Sequence, residues 1–333
     1  SFSGGVVEPA AEDLFGTDRG IYANPERSGL AWERPVSMEW IDPGRDDAFQ
    51  VGAGLRIQGG YFRQRSVTQK HSLRLVFKNA YGPGRLRRDL FREFGAAREF
   101  DTLVLRAGAN DGYAWDAAKD TEQFIRDEFG RRLHLDMGHP SPRGRFVHLY
   151  LNGLYWGLYN LTERPAEDFS ATYMGGVPED WDAINSGDVK SGSLAAWNAF
   201  VAAARSAAGL ADYQRLKGLN PDGSRNPAQP AYLDAPNYID YMLVNLWGGN
   251  WDWPNKNFWF GRHRTNLASG FRFYIWDFEN TMGNNRDRSP LNMLSPRASI
   301  ESAWVAEPHF RLQRLEEYRM EFADRVQRHL FNG

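Results

Sequence analysis

The period of the hydrophobic pattern changes part-way along this chain, and this change restricts the fold more than any other feature. Residues 36–41, 54–58 and 72–77 alternate apolar and polar side chains, which is the period of half-buried strands. In residues 194–208 and 237–247 apolar side chains recur at helical spacing, and residues 301–331 follow a mostly helical pattern. A sheet-rich part followed by a helix-rich part predicts an α+β protein with two lobes, the change falling between residues 165 and 190.

The segment FVHLYLNGLYWGLYNL contains the clearest local signal. Asn152 and Gly153 stand between two strand-like runs, and both tolerate the positive φ that a two-residue hairpin turn requires. A second hairpin is predicted from WDWPNKNFWF and FRFYIWDFEN, which are joined by a turn at residues 263–269. Polar residues gather at the ends of this second hairpin.

One helix is predicted ahead of the first hairpin. Ile125, Phe129 and Leu133 recur at four-residue spacing and give this helix an apolar face. Asp120 is placed to cap its start, and Gly138 is placed to end it.

The composition excludes several classes of function. The 40 basic and 42 acidic residues leave a net charge of −2, so no overall field draws the chain to nucleic acid or to an anionic membrane. The absence of cysteine excludes disulfides, thiolate metal sites and cysteine nucleophiles. No apolar run reaches the roughly 18–20 residues of a membrane span, so no transmembrane segment is expected.

The densest cluster of polar side chains lies in the second predicted hairpin. Asp252 is followed after four residues by Asn257, and Asp277 stands at the end of an apolar strand, with Glu279 two residues later. Carboxylate and amide oxygens are hard ligands that suit Mg²⁺ or Mn²⁺ beside phosphates. Protein kinases use an aspartate, an asparagine and a later aspartate in this order. The spacing thus indicates phosphoryl transfer, but turn and strand-end residues that satisfy local backbone would look the same, and Asn255 is an alternative to Asn257.

A second candidate piece lies upstream, in LRIQGGYFRQRSVTQKHSLRL. Gly59 and Gly60, between two strands, would let backbone N–H groups approach phosphates, and Lys70 would add a positive charge. The alternative is a simple turn followed by a solvated lysine. The chain has lysine only at positions 70, 78, 119, 190, 217 and 256, which favours a specific use of this one.

Together these pieces resemble the CotH kinase family, the spore coat protein H group. The resemblance runs from about residue 36 to residue 283. The motifs that carry it are, in order, GLRIQGG, QKHSLRLVF, FDTLVLRAGANDG, FIRDEFGRRL, FVHLYLNGLYWGLYNLTERP, NWDWPNKNFWF and YIWDFENTMG. The resemblance implies an atypical protein-kinase-like two-lobed fold that phosphorylates Ser or Thr of a protein substrate, using ATP and a divalent cation, Mg²⁺, Mn²⁺ or Ca²⁺. It also implies a secreted protein or one at the cell or spore surface, with no nucleic-acid partner expected.

The same resemblance divides the chain and assigns roles to residues. Residues 1–35 would be an extended entry segment, 36–165 a sheet-rich N-lobe with one long helix, and 166–333 a helix-rich C-lobe that carries the catalytic and metal motifs. Asp252 matches the catalytic aspartate, Asn257 and Asp277 match the metal-binding pair, and Glu279 stands where many relatives have a further metal-binding aspartate. Two further matches concern the nucleotide: Lys70 would contact phosphate after the loop with Gly59 and Gly60, and Glu163 would lie near the adenine. The acidic partner of Lys70 is open among Glu122, Asp127 and Glu128. Arg106 and Asp111 would form a structural ion pair.

Two other functions fit the same features. An enzyme with this fold and ATP site would also suit nucleotidylation or ATP-driven ligation. An inactive surface module would use its aromatic side chains to bind polysaccharide or partner proteins. The remaining polar and aromatic residues are expected to be structural. His134 and His139 would point to different faces of a helix, which argues against a histidine metal site. The core is expected to contain Trp247, Trp251, Trp253 and Trp259, and a solvated face is expected to carry Arg85, Arg87 and Arg88.

Overall fold

The computed structural model describes residues 24–64, 66–115, 120–284 and 304–332. Within these ranges the chain forms twelve β-strands and seven α-helices, the mixed α and β architecture that the sequence predicts. It divides into two compact units, Ser1–Phe124 with Arg143–Arg164 and Ile125–Pro142 with Pro165–Gly333. Most of the expected entry segment, residues 1–23, lies outside the described residues. Residues 125–142, placed above in the sheet-rich part, belong with the helices of the second unit.

The first unit is built on a six-stranded antiparallel sheet. Its strand order is β1-β2-β3-β6-β8-β7, and two short strands, β4 and β5, pair with each other beside it. The predicted strands at residues 36–41, 54–58 and 72–77 are confirmed. The bounds are β1 Arg34–Asp42, β2 Asp47–Gln58, β3 Ser72–Val76, β4 Leu86–Arg87, β5 Glu99–Phe100, β6 Thr102–Arg106, β7 Gly144–Leu151 and β8 Leu154–Glu163.

One face of this sheet forms the core of the first unit. Leu55 pairs with Leu75, Leu75 with Leu103 and Leu105 with Leu161, and all of these side chains are buried. Residues directly opposite each other in an antiparallel ladder share a face, so the alternate positions of the same strands form the other face. That other face carries Arg56, Arg74 and Thr162.

The predicted hairpin between β7 and β8 is confirmed. Leu151 pairs with Leu154 across Asn152 and Gly153, whose φ values are 50° and 81°. Both angles lie in the left-handed region that two-residue hairpin turns use, which is why this dipeptide is so clear a signal.

The second unit combines the helices with a four-stranded antiparallel sheet of order β10-β9-β11-β12. The helices expected at residues 194–208 and 237–247, the second hairpin and the helical C-terminal segment are confirmed where the chain is described. The bounds are α1 Arg126–Asp136, α2 Glu167–Met174, α3 Ala195–Ser206, α4 Leu210–Leu216, α5 Ala235–Trp247, α6 Glu307–Leu312, α7 Glu316–Val326, β9 Trp181–Asn185, β10 Asp188–Ser191, β11 Phe258–His263 and β12 Arg272–Ile275.

Strand β9 was not anticipated, because its first four residues are all buried and show no alternation of apolar and polar side chains. Helix α5 lies at the centre of the unit. Its N-cap, Asp234, accepts a hydrogen bond from the backbone N–H of Asn237, and every residue from 237 to 246 is buried. A helix surrounded by core must satisfy its own polar side chains, and three of them matter below: Asp240, Tyr241 and Asn245.

Helix α1 corrects two expectations. It begins at Arg126 rather than near Asp120, because Phe124 has a φ of 66°, which no α-helix contains. Its buried face is charged, whereas Phe129 on the expected apolar face is exposed. Arg131 is fully buried and donates to Asp127 Oδ2 at 3.0 Å, to Glu128 Oε2 at 2.8 Å and to the Pro142 carbonyl at 3.0 Å. These bonds to two carboxylates and a carbonyl make its burial tolerable.

Candidate functional site

The loop after α5 carries the predicted catalytic aspartate. The helix ends at Trp247 with Gly248 as its C-cap, and the side-chain amide of Asn250 then donates back to Asn245 Oδ1 at 2.9 Å. Trp253 is buried and donates from Nε1 to the Tyr241 hydroxyl at 2.8 Å. Both anchors are side chains of α5, so the buried helix fixes the loop on which Asp252 lies.

Three side chains donate to the carboxylate of Asp252. Asn257 Nδ2 lies 2.9 Å from Oδ2, Asn280 Nδ2 lies 3.2 Å from the same oxygen, and Lys256 Nζ lies 2.9 Å from Oδ1. The structure therefore brings together Asp252 and Asn257, which the sequence paired on spacing alone. Asn255, the alternative to Asn257, is exposed.

Sequence reasoning missed Asn280. This residue is buried, it donates to Asp252, and its own amide oxygen Oδ1 has no hydrogen-bond partner among the described residues. A buried acceptor without a donor is costly unless a cation or water meets it. The signal that was available is its place at the end of the string WDFEN, three residues beyond Asp277.

Asp277 reaches the same end of the β11–β12 hairpin as Asn257. Phe258 pairs with Ile275, so Asn257 lies one residue before the ladder and Asp277 two residues after it. The segment beyond Asp277 is tied to the Asp252 loop: Trp251 N donates to the Asn280 carbonyl at 3.2 Å, and Met282 N donates to the Gly248 carbonyl at 2.9 Å.

The backbone at both predicted metal ligands is unusual. Asn257 has a φ of 62° and Asp277 a φ of 55°. Asparagine and aspartate enter the left-handed region more readily than other residues with side chains, but it still costs free energy. A hydrogen bond from Asn257 N to Ser186 Oγ, 3.0 Å long, holds the first of these positions. Such conformations persist only where the surroundings enforce them, and they concentrate at functional sites.

The side chain next to Asp277 is clamped. Phe278 is fully buried, and an added Cβ at either Gly130 of α1 or Gly248 would collide with its ring. The backbone N–H of Phe278 donates to Asp127 Oδ1 at 3.0 Å. Two glycines and one carboxylate therefore fix the residue that follows Asp277, and through it the backbone of Asp277 itself.

The donor set suits a hard cation. Among the described residues, no three carboxylate, histidine or cysteine side chains gather into a metal-binding group. A cation at this site would therefore be held by carboxylates together with amide oxygens, and the unpartnered Oδ1 of Asn280 fits that requirement. Glu279 is buried in the same segment, and its carbonyl oxygen accepts a bond from Asn284 Nδ2 at 2.8 Å. Its part in binding metal stays a prediction.

In the first unit, Lys70 lies just before β3 and is already bonded. Its Nζ donates to the carbonyl oxygens of Ala107 at 2.9 Å and Leu158 at 2.7 Å, and it lies 4.8 Å from the ring centre of Tyr159. Burial lowers the pKa of Lys70 to about 8. No described carboxylate of the first unit forms an ion pair with it.

The three acidic residues expected as alternative partners of Lys70 lie in different units, Glu122 in the first and Asp127 and Glu128 in the second, and the choice among them stays a prediction. Glu128 pairs with Arg132 at 2.7 Å as well as with Arg131, and Asp127 also pairs with Arg131. Glu122 Oε2 is buried and has no hydrogen-bond partner within the described ranges. The helix α1 therefore uses its acidic residues mainly to neutralise its own buried arginine.

The glycine pair and Glu163 have different surroundings. Gly59 has a φ of 115°, and a Cβ at Gly59 or Gly60 would meet no atom of a described residue within 4 Å, so the described chain leaves open space beside this backbone. Glu163 is buried and accepts a hydrogen bond from Arg143 N at 2.9 Å through Oε2. Open space beside the glycines fits a ligand there, and a carboxylate engaged by Arg143 fits a structural role for Glu163.

Comparison with protein-family models gives one match. A model described as CotH kinase protein covers residues 55–332, more than four-fifths of the chain. The chain belongs to the CotH kinase family. No curated protein matches it. The family resemblance drawn from the motifs is thereby confirmed, and a kinase-like protein is the function class that family membership supports.

Three other expectations for this CotH kinase family member are settled by the geometry. His134 and His139 do not point apart: their ring centres are 4.8 Å apart, because the chain turns back at Gly138, where φ is 92°. His139 Nε2 lies 2.6 Å from Asp240 Oδ2. Trp253 and Trp259 are core residues as expected, whereas Trp247 is 54% exposed.

The remaining residues expected to be structural lie in the first unit of this CotH kinase family member. Arg106 and Asp111 are buried, and Asp111 Oδ1 accepts a hydrogen bond from Gln123 N at 2.8 Å, although an ion pair between the two stays a prediction. Of the three arginines expected on a solvated face, Arg87 and Arg88 are exposed, whereas Arg85 is half-buried. In the described ranges, every helix is too short or too polar to cross a lipid bilayer.

Proposed function

We propose that the protein is an ATP-dependent phosphotransferase that moves the γ-phosphoryl group of ATP to a Ser or Thr hydroxyl of a protein substrate. The single observation that supports this most is the contact between Asp252 and Asn257, held in a left-handed backbone conformation beside Asn280. Family membership supports the kinase-like class. The protein acceptor and the Ser or Thr specificity are part of the proposal.

In this mechanism Asp252 orients the acceptor hydroxyl and takes its proton. The donors around it, Asn257, Asn280 and Lys256, hold the carboxylate in one orientation, so that little reorganisation is needed at the moment of transfer. Asn257, Asp277 and Glu279 are the residues proposed to hold the divalent cation, Mg²⁺ or alternatively Mn²⁺ or Ca²⁺. When bound with ATP, the cation neutralises the charge that develops on the phosphate oxygens.

The proposed nucleotide contacts lie in the first unit. Gly59 and Gly60 would offer backbone N–H groups beside open space, and Lys70 would offer a cation. Glu163 is proposed to lie near the adenine, with its carboxylate orientation fixed by Arg143. The two-lobed kinase arrangement and a secreted or surface location are proposed from family membership.

The test is transfer of radiolabelled phosphate from γ-labelled ATP, in the presence of Mg²⁺ or Mn²⁺, to the protein itself and to a Ser- and Thr-rich acceptor protein. Asp252→Asn and Asp277→Asn should each lower incorporation by on the order of 10²-fold or more, because a general base and a cation ligand are lost. Asp188→Asn is the matched control, since Asp188 is 78% exposed and forms an ion pair with Lys190 at 3.1 Å. Equal incorporation by parent and both site variants would refute the assignment.

Intact-mass analysis of the modified product separates the proposal from its nearest alternative. Phosphorylation, nucleotidylation and ATP-driven ligation each add a different group, so the mass identifies the reaction. One observation also favours the binding-module alternative: the tip of the β7–β8 hairpin exposes Tyr150, Leu154, Tyr155 and Trp156. A thermal shift with oligosaccharide and none with ATP and Mg²⁺ would favour that module, because a ligand that binds only the folded state must stabilise it.

A further inference from the structure

Arg74 lies in the middle of β3 and has no hydrogen-bond or ion-pair partner among the residues the structure describes. The side chain is half-buried, and its Nε is fully removed from solvent. A guanidinium has five N–H donors and no acceptor, so burying one without a partner is costly. By contrast, buried Arg131 is bonded to two carboxylates and a carbonyl.

The strand register places Arg74 on the polar face of the six-stranded sheet. Arg56 of β2 is its direct neighbour on one side, and Val104 of β6 is its neighbour on the other. Val104 pairs in turn with Thr162 of β8. Because paired residues share a face, Arg56 and Arg74 project on the side opposite the leucine core.

The charges that act most strongly on Arg74 are three further arginines, Arg164, Arg56 and Arg63, and one carboxylate, Glu33. That carboxylate is already engaged: it accepts a bond from Arg56 Nε at 2.5 Å and pairs with Lys78. Burial first, and then repulsion by Arg164 and Arg56, lowers the pKa of Arg74 to about 10. The polar face around Arg74 therefore holds an excess of positive charge.

Lys70 adds a further positive charge to the first unit, but its ammonium group is less available than the Arg74 guanidinium to bind an anion. Both Lys70 bonds go to backbone carbonyl oxygens, whereas no described residue accepts a hydrogen bond from Arg74. Arginine also presents a planar fork that can meet two oxygens of one phosphate. An arginine that has no described partner and is surrounded by other cations has the charge and the free donors that an anion-binding site needs before its ligand binds.

We propose that Arg74 is the principal anion-binding residue of a polyphosphate site on the polar face of the six-stranded sheet, with Arg56 beside it as a secondary contact. The identity of the ligand, the phosphate chain of a nucleotide, rests on the function proposed above, whereas the anion site itself does not. Lys70 then acts as a supporting cation rather than the main phosphate contact.

The experiment is calorimetric titration of the full chain with sodium tripolyphosphate and, separately, with ATP. The variants are Arg74→Gln, which removes the charge, and Arg74→Lys, which keeps the charge and loses the fork. Arg87→Gln is the matched control, since Arg87 is a 76% exposed arginine of the same unit that pairs with Glu99 at 3.0 Å. We expect Arg74→Gln to weaken tripolyphosphate binding about ten- to hundredfold, as loss of a charge-assisted hydrogen bond implies, and Arg74→Lys to weaken it less.

A second measurement separates binding from folding. The Arg74→Gln protein without ligand should melt at the same temperature as the parent or higher, because a repelled, half-buried cation is removed, and tripolyphosphate should no longer raise its melting temperature. Binding of tripolyphosphate but not ATP, with the same loss in the variant, would support the anion site and contradict the nucleotide function. Parent-like tripolyphosphate binding by both Arg74 variants, or no binding by the parent, would overturn the proposal.

Discussion

Replacing Gly130 by alanine tests whether the packing of Phe278 fixes the position of Asp277. An alanine Cβ at position 130 would lie 2.6 Å from Cγ and 3.0 Å from Cβ of Phe278, and closer still to Cδ1. Carbon atoms pack at about 3.5–4.0 Å, so the ring has to move by about 1 Å. Since Asp277 is the preceding residue and has a strained φ of 55°, its carboxylate must move with the ring.

The expected effect on stability is small, and the expected effect on rate is large. Overpacking costs about 1–3 kcal/mol, while replacing a glycine inside α1 gains about 1 kcal/mol, so the net destabilisation is about 0–2 kcal/mol. A misplacement of about 1 Å at a reacting group costs on the order of 10²-fold in rate. The variant should therefore remain folded in urea titrations and lose most of its phosphate transfer.

Gly44→Ala is the control for this substitution. A Cβ at Gly44 meets only Asp42 Oδ1, at an ordinary 3.6 Å. Its stability should change by less than about 0.5 kcal/mol, and its transfer rate should match the parent. A second test combines Gly130→Ala with Phe278→Leu: the smaller side chain should relieve the collision, giving a coupling energy of at least about 0.5 kcal/mol. A Gly130→Ala protein with the parent's rate, or two variants whose effects simply add, would refute the reasoning.

Three further predictions concern other parts of the molecule. Asn280→Ala removes a hydrogen-bond donor to Asp252 and the unpartnered amide oxygen, so the affinity for Mn²⁺ and the rate of phosphate transfer should each fall about tenfold. Metal titration and labelled phosphate transfer measure the two effects. An unchanged Mn²⁺ affinity would exclude Asn280 from the cation site. Because the pKa of Lys70 is lowered to about 8 in the folded state, the unfolded chain binds more protons between pH 8 and the ordinary value of 10.5, so stability should rise with pH across that window. Lys70→Met should flatten this slope in urea titrations at several pH values, and an unaltered slope would show that another group causes it. Asp240 is fully buried and pairs with Arg325 as well as His139. Asp240→Asn should therefore lower the free energy of unfolding by about 3–5 kcal/mol, because the charge of Arg325 is left uncompensated. A decrease below about 1 kcal/mol in urea unfolding would show that the pair contributes little.

The first sheet and its hairpin were predictable because their signals are local. Alternation marks β1, the end of β2 and β3, and Asn152-Gly153 fixes the β7–β8 turn through two positive φ angles. Helix α1 was predicted too long and with the wrong face. Its sequence periodicity is amphipathic, but Arg131 finds two carboxylates within its own helix, and this permits the charged face to be buried. Hydrophobic periodicity depends only on where the apolar side chains fall, so it does not predict that a face of mutually neutralising charges is buried.

The candidate site was only partly predictable. Spacing paired Asp252 with Asn257, and the two side chains are in contact. Nothing in the spacing indicated Asn280, whose side chain reaches Asp252 from 28 residues further along. Nor did it indicate that Lys70 bonds to two carbonyl oxygens while Arg74 has no partner in the described part of the chain.

The sequence by itself determined which segments form strands, helices and turns where one periodicity dominates, and it determined the family through motifs spread from residue 54 to residue 283. These are properties of neighbouring residues, and the backbone follows them without reference to distant parts of the chain. Only the tertiary structure decided which polar side chains satisfy one another and which are left unsatisfied. That outcome depends on strand register and on helix packing, which bring together residues such as Arg56 with Arg74 and Asp252 with Asn280.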